Sequence, residues 1–97
     1  MLTSKQRSYL RGLSHDLSDI VLVGKDGVYD NVVKQADDAL EAHELIKGKV
    51  LNNCFEEVKD IAAQLAEETS SEVVCTIGRK FILYRRNVKD GKIILPR

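Results

Sequence analysis

Apolar positions along this chain alternate between two spacings, one suited to helices and one to strands. Thr3-Ser-Lys-Gln6 has the spacing of a capping box, and Gln6, Leu10, Leu13 and Leu17 then fall on one side of a helix. Gly12 and Ser14-His15-Asp16 end that helix before residue 17, which leaves Leu17 to the following loop. Arg7 and Arg11, four apart, point away from the leucines. The continuous apolar run over 20–23 (Ile-Val-Leu-Val), bounded by glycine, predicts a buried strand. A turn over 24–27 (Gly-Lys-Asp-Gly) leads to a helix from about Asp30, with Val33, Ala36 and Leu40 at helical spacing and Val32 and Ala39 beside them.

A second strand is predicted over 45–51, with Ile46, Gly48 and Val50 on one side and Lys47 and Lys49 on the other. Asn53 can cap a third helix with Glu56 three residues on, and Phe55, Val58, Ile61, Ala62 and Leu65 would form its buried stripe. Ser70-Ser71 breaks it. A third strand follows over 72–77, a tight turn over 78–80, and a fourth strand over 81–84 whose unbroken apolar run (Phe-Ile-Leu-Tyr) predicts a central position, buried on both faces. The result is an α/β domain of order α-β-α-β-α-β-β, two-layered on a four-stranded mixed sheet, spanning 1–88 with a loosely attached tail over 89–97. Right-handed crossovers place the second and third helices on one face.

At 97 residues the chain is long enough for one core and one domain. No apolar run approaches the roughly 20 residues of a membrane span, and the N-terminus lacks a signal-peptide core, so a cytoplasmic protein is expected. Cys54, Cys75, His15 and His43 are too few and too scattered for a metal site or a nucleophile–base pair. No cofactor, metal or catalytic residue is therefore expected, and the protein is read as a non-enzyme.

Charge changes the picture more. The net charge is zero, yet residues 30–44 and 56–72 together carry −9 and the remainder +9. The two acidic segments are the second and third helices, so the sheet's other face, its loops and the first helix should form a basic side. The carboxyl ends of the first three strands would share one edge. There the turn over 24–27, Asn52-Asn53 and the turn over 78–80 would meet two helix N-termini. Backbone amides of the G-x-x-G turn, with Lys25, Arg79 and Lys80, could hold a phosphate. By itself G-x-x-G is most often only a tight turn; its weight comes from what gathers around it. Tyr9, Tyr29, Phe81 and Tyr84 are possible stacking partners for bases, and each could equally be core.

Four blocks in order resemble a known family: Leu2-Thr-Ser-Lys-Gln-Arg-Ser-Tyr-Leu-Arg-Gly-Leu13, Ile20-Val-Leu-Val-Gly-Lys-Asp-Gly27, Ala39-Leu-Glu-Ala-His-Glu-Leu-Ile-Lys47 and Ile77-Gly-Arg-Lys-Phe-Ile-Leu-Tyr-Arg85. They are similar to the small bacterial YhbY-like proteins, free-standing CRM domains (chloroplast RNA splicing and ribosome maturation). The resemblance covers about 2–86. It implies a fold similar to the C-terminal domain of translation initiation factor three, and an RNA-binding role in maturation of the large (50S) ribosomal subunit. It also implies that Gly24, Lys25, Asp26 and Gly27 approach the RNA backbone. Asp26 departs from the neutral or basic residue common in relatives, and Gly48 departs from strand propensity.

The expected roles are these: Gly24 and Gly27 permit close approach, Lys25, Lys47, Lys49, Arg79 and Lys80 neutralise phosphates, and Arg7 and Arg11 extend the patch. The expected partners are ribosomal RNA, pre-50S particles and ribosomal proteins, with the protein itself a monomer. Reversing Lys25 and Arg79 together to Glu should abolish RNA association with the melting temperature nearly unchanged. The alternative is a protein-interaction module docking through the acidic helices; a phosphorylated metabolite at the turn edge ranks below both.

Overall fold

The Thr3 hydroxyl accepts from the Gln6 N–H at 3.1 Å, and the Gln6 side chain accepts from the Thr3 N–H at 3.0 Å, closing the capping box. In this computed structural model, which describes residues 2–87, 91 and 93–96, the helix so started is α1 (Ser4–Ser14). It is followed by β1 (Asp19–Val23), α2 (Asp30–His43), β2 (Leu45–Val50), α3 (Val58–Thr69), β3 (Glu72–Ile77) and β4 (Lys80–Tyr84). No described helix is long and apolar enough to cross a membrane.

The sheet has the order β1-β2-β4-β3, with β1 and β2 parallel and β4 antiparallel to both neighbours. Since β2 and β3 both oppose β4, strands β1, β2 and β3 run the same way and end at one edge. Strand β4 is central, as its apolar run predicts. Phe81 and Leu83 join Val21, Val23, Ile46 and Val50 against α2 and α3, while Ile82 and Tyr84 join Leu10, Leu45 and Val74 under α1. Full burial of one such aliphatic or aromatic side chain is worth about 1.5–3 kcal/mol, so two opposed clusters fix both faces of β4. The α1 helix covers β3 and the start of β2 on its face; over β1 the domain has the two layers expected.

That partial cover corrects the reading of β1 as a buried strand. Val21 and Val23 are fully buried, but Ile20 and Leu22 are 44% and 49% exposed, because β1 is an edge strand that α1 does not reach. A run of four apolar residues can alternate in burial when one face is left open. Likewise Leu13, in the expected stripe of α1, is largely exposed.

Gly48 is also more than a weak strand residue. A Cβ there would lie 2.2 Å from the Phe81 ring, so the absence of a side chain is what admits the ring to the core.

The third helix begins later than Asn53 predicts. Its N-cap is Glu57, and Phe55, assigned by spacing to the buried stripe, is 97% exposed. Residues 51–54 close a turn instead, with the Cys54 N–H donating to the Leu51 carbonyl at 3.0 Å and Cys54 itself buried.

The C-terminal segment docks on the domain where it is described. Ile93 and Leu95 pack against the α1-side cluster, and the Pro96 carbonyl accepts from the Gln6 amide at 3.0 Å. Buried Glu44, at φ 65° where α2 turns into β2, accepts from the Asn87 and Ile93 N–H groups, both at 2.8 Å. A non-glycine residue in that conformation costs about 1–3 kcal/mol, and these bonds to its carboxylate hold it there. The expected boundary at residue 88 lies outside the described residues, as do 89, 90, 92 and 97.

Candidate nucleic-acid interface

Three loops are stitched together where β1, β2 and β3 end. The Leu51 N–H donates to the Val23 carbonyl and the Val50 N–H to the Arg79 carbonyl, both at 2.8 Å. The G-x-x-G turn is closed by a Gly27 N–H to Gly24 carbonyl bond of 3.0 Å. Gly27 is buried at φ +66°, a conformation that needs glycine, and a Cβ there would lie 2.3 Å from Glu56 Oε2. Gly24 is less demanding: its missing Cβ would make only ordinary contact with Asn53, at 3.5 Å. Lys25 and Asp26 occupy the exposed tip.

Beside this turn lies the half of the sheet that α1 leaves uncovered. Ile46, Gly48 and Val50 face α2 and α3, so Lys47 and Lys49 project to the open side. Lys80 is the register partner of Lys49 and belongs to the same face. His15, Asn52, Ile77 and Arg79 complete a shallow depression around these three lysines.

The lysines are not all free. Lys80 Nζ lies 3.2 Å from Asp19 Oδ2, and Lys47 Nζ donates to the Ser14 carbonyl at 3.4 Å. Asp19 Oδ1 is buried without a hydrogen-bond partner, so one uncompensated acidic oxygen sits inside the basic patch.

The arginines divide. Arg11 is exposed on α1, whereas Arg7 donates to the Val73 carbonyl, and to the Val74 carbonyl at 3.2 Å, where β3 bulges. Both line a hollow with Cys75 between α1 and β3, and burial pushes the Cys75 thiol up, opposed by Arg11, Arg7 and Lys47 in that order. Lys47, bonded to the Ser14 carbonyl, brings the sheet patch to the end of α1.

Arg79 is a fastener. Its Nε donates to the Val50 carbonyl at 2.9 Å, and one terminal nitrogen donates to the Leu51 and Cys54 carbonyls at 2.6 and 3.3 Å. Replacing it by Glu would unpin the β2–α3 loop, so the expectation of an unchanged melting temperature for the Lys25/Arg79 reversal does not hold.

Of the aromatics named as possible stacking partners, Phe81 and Tyr84 are buried in the two clusters. Tyr9 and Tyr29 are 42% and 47% exposed. Phe55, the most exposed large apolar residue of the edge, was not foreseen: its spacing to Val58, Ala62 and Leu65 is that of a helix stripe, and no sequence signal contradicts it.

Opposite this surface, Arg85 binds Asp37 Oδ1 at 2.6 Å and Glu41 Oε2 at 3.1 Å, neutralising part of the acidic helical side.

Comparison with known proteins bears on the family and the fold. The CRS1 / YhbY (CRM) domain family model matches residues 2–85. The chain is 47% identical to the "Probable RNA-binding protein YqeI" of Bacillus subtilis, over 99% of its length and all of that protein. It is 38% identical to an "RNA-binding protein" of Haemophilus influenzae, covering 99% of this chain and 96% of that one. The solution structure of the Staphylococcus aureus protein SAV1595, described there as a candidate RNA-binding protein, superposes with a TM-score of 0.84 at 46% identity. That match covers 99% of this chain and 100% of the other.

Proposed function

Since the chain belongs to the CRS1 / YhbY (CRM) domain family, we propose that it is an RNA-binding module acting in assembly of the large ribosomal subunit. The observation that carries the reading is the open half-sheet bearing Lys47, Lys49 and Lys80, which meets the end of α1 at Lys47 and borders the G-x-x-G turn with Lys25. A sheet face left uncovered, yet lined by ammonium groups on their aliphatic stems, suits a polyanion. The turn contributes backbone that can approach closely, and the lysines contribute charge. The names of the relatives support the same partner.

Nothing in this arrangement reads base edges in a groove, so selection would come from RNA shape and unpaired elements. No step of bond making or breaking is assigned to it. Docking of a protein on the acidic helices is less well supported, because Asp37 and Glu41 are already engaged by Arg85.

The test is fluorescence anisotropy with a large-subunit ribosomal RNA fragment across a salt series. Five cations on the phosphates give a slope of log affinity against log salt of roughly −3.5 to −4.5. Lys47→Ala and Lys49→Ala should each flatten it by about 0.7–0.9. Absence of binding at low salt, or slopes untouched by both substitutions, would sink the assignment.

A further inference from the structure

We propose that Phe55 is a stacking platform for an unpaired RNA base, an inference that rests on the RNA-binding reading above. Its ring is 97% exposed, although its spacing would have allowed it into the α3 stripe. The backbone that carries it is fixed rather than loose. Cys54, immediately before it, is buried in the main core, and its carbonyl is held by the Arg79 guanidinium. The chain touches the G-x-x-G turn on either side of it: Asn53 lies against Gly24 and Glu56 against Gly27. Phe55 is thus projected into solvent from a segment that runs along the turn.

The chemistry of the surroundings selects a base as the occupant. Glu56 and Glu57, which follow it in the chain, disfavour phosphate beside the ring, whereas Lys47, Lys49 and Lys80 attract it to the sheet face. A strand lying on the lysines would therefore turn its uncharged base, not its backbone, toward Phe55. Every base has a π-face, and a single aromatic side chain is enough to receive one. Inside a duplex every face is already stacked on its neighbours, so the ring would favour unpaired elements.

The experiment compares wild type, Phe55→Ala and Phe55→Trp on a short single-stranded RNA carrying one 2-aminopurine, and on a duplex of the same length whose two ends are closed by non-nucleotide linkers. Phe55→Ala is expected to weaken single-strand binding about 5- to 150-fold, the equivalent of the roughly 1–3 kcal/mol carried by one base–aromatic stack. It should also abolish the quenching of 2-aminopurine on binding and leave duplex affinity unchanged; Phe55→Trp should retain both affinity and quenching. Equal single-strand affinity for wild type and Phe55→Ala would overturn the proposal and leave a protein partner as the occupant of the ring. A wild-type protein that binds neither RNA would remove the RNA-binding reading itself, a distinct result. An exposed ring makes Phe55→Ala neutral to folding, which thermal unfolding verifies.

Discussion

Replacing Arg79 by alanine tests whether this residue is a fastener or a phosphate ligand. Its side chain makes hydrogen bonds to three carbonyls of the β2–α3 connection, at 2.9, 2.6 and 3.3 Å. A bond from a charged donor contributes about 1.5–3 kcal/mol when its acceptor stays dry. The Leu51 acceptor lies at the surface and can be rehydrated, and 3.3 Å is long for a strong bond. Counting the Val50 bond in full and the other two at a fraction gives a loss of about 2–3 kcal/mol. For a domain of this size that is a fall in Tm of roughly 10–20 °C. Arg79→Lys keeps the charge but not the planar fork, so most of the loss should remain while the salt slope of RNA binding is unchanged. Circular dichroism on heating reads the first quantity and anisotropy the second. A Tm within a few degrees of wild type for Arg79→Ala, together with lost RNA affinity, would refute the fastener and restore the phosphate role.

Three further outcomes are expected. Gly48→Val drives a branched side chain into the Phe81 ring, which should cost about 1–3 kcal/mol in urea unfolding, and an unchanged midpoint would mean the ring gives way freely. Asp19→Asn removes the carboxylate that holds Lys80, so RNA affinity should rise and its salt slope steepen; weaker binding would show that the pair positions the lysine for its ligand. Burial pushes Cys75 up from 9.0, while burial and then Glu44 push Tyr84 up from 10.0. Both groups hold their protons longer folded than unfolded. Their contribution is complete below these ordinary values and is lost as pH rises through the folded ones. The urea midpoint should fall between about pH 8 and about pH 11, less steeply in Cys75→Ser, and a flat midpoint would contradict the shifts.

Much of the fold is legible in the chain because its elements announce themselves locally. Thr3 and Gln6 signal a cap, the apolar run over 81–84 signals a central strand, and the right-handed crossovers signal which helices share a face. The misreadings share one cause, the capture of backbone or side chain by residues distant in sequence. Arg79 holds the Val50, Leu51 and Cys54 carbonyls in a connection that replaces the first turn expected of α3, and Phe55 lies outside the core. The place of β1 at the sheet edge, beyond the reach of α1, exposes Ile20 and Leu22. The Phe81 ring explains Gly48, and Glu44 gathers the C-terminal segment from more than forty positions away. At the candidate site the lysines were visible as an alternation in β2, but the division of arginines into Arg11, which faces solvent, and Arg7 and Arg79, which hold carbonyls, was not. A sequence gives a guanidinium its charge and leaves its acceptors unstated.

Equal and opposite charge on the two sides of one small domain has a kinetic consequence. Apart from Asp19 beside Lys80 and the acids at the G-x-x-G turn, the acids of α2 and α3 lie across a helix about 10 Å thick from the lysines, more than one Debye length at physiological salt, which is about 8 Å. From a distance RNA meets a particle of zero net charge and exerts little pull on it, so the encounter rate should be modest and nearly indifferent to salt. At contact the solution's ions screen the acidic side, and the RNA feels the lysines alone. Salt would then act mainly on how long the complex lasts, a pattern opposite to that of a uniformly basic protein, which is drawn in quickly from afar by any RNA it passes.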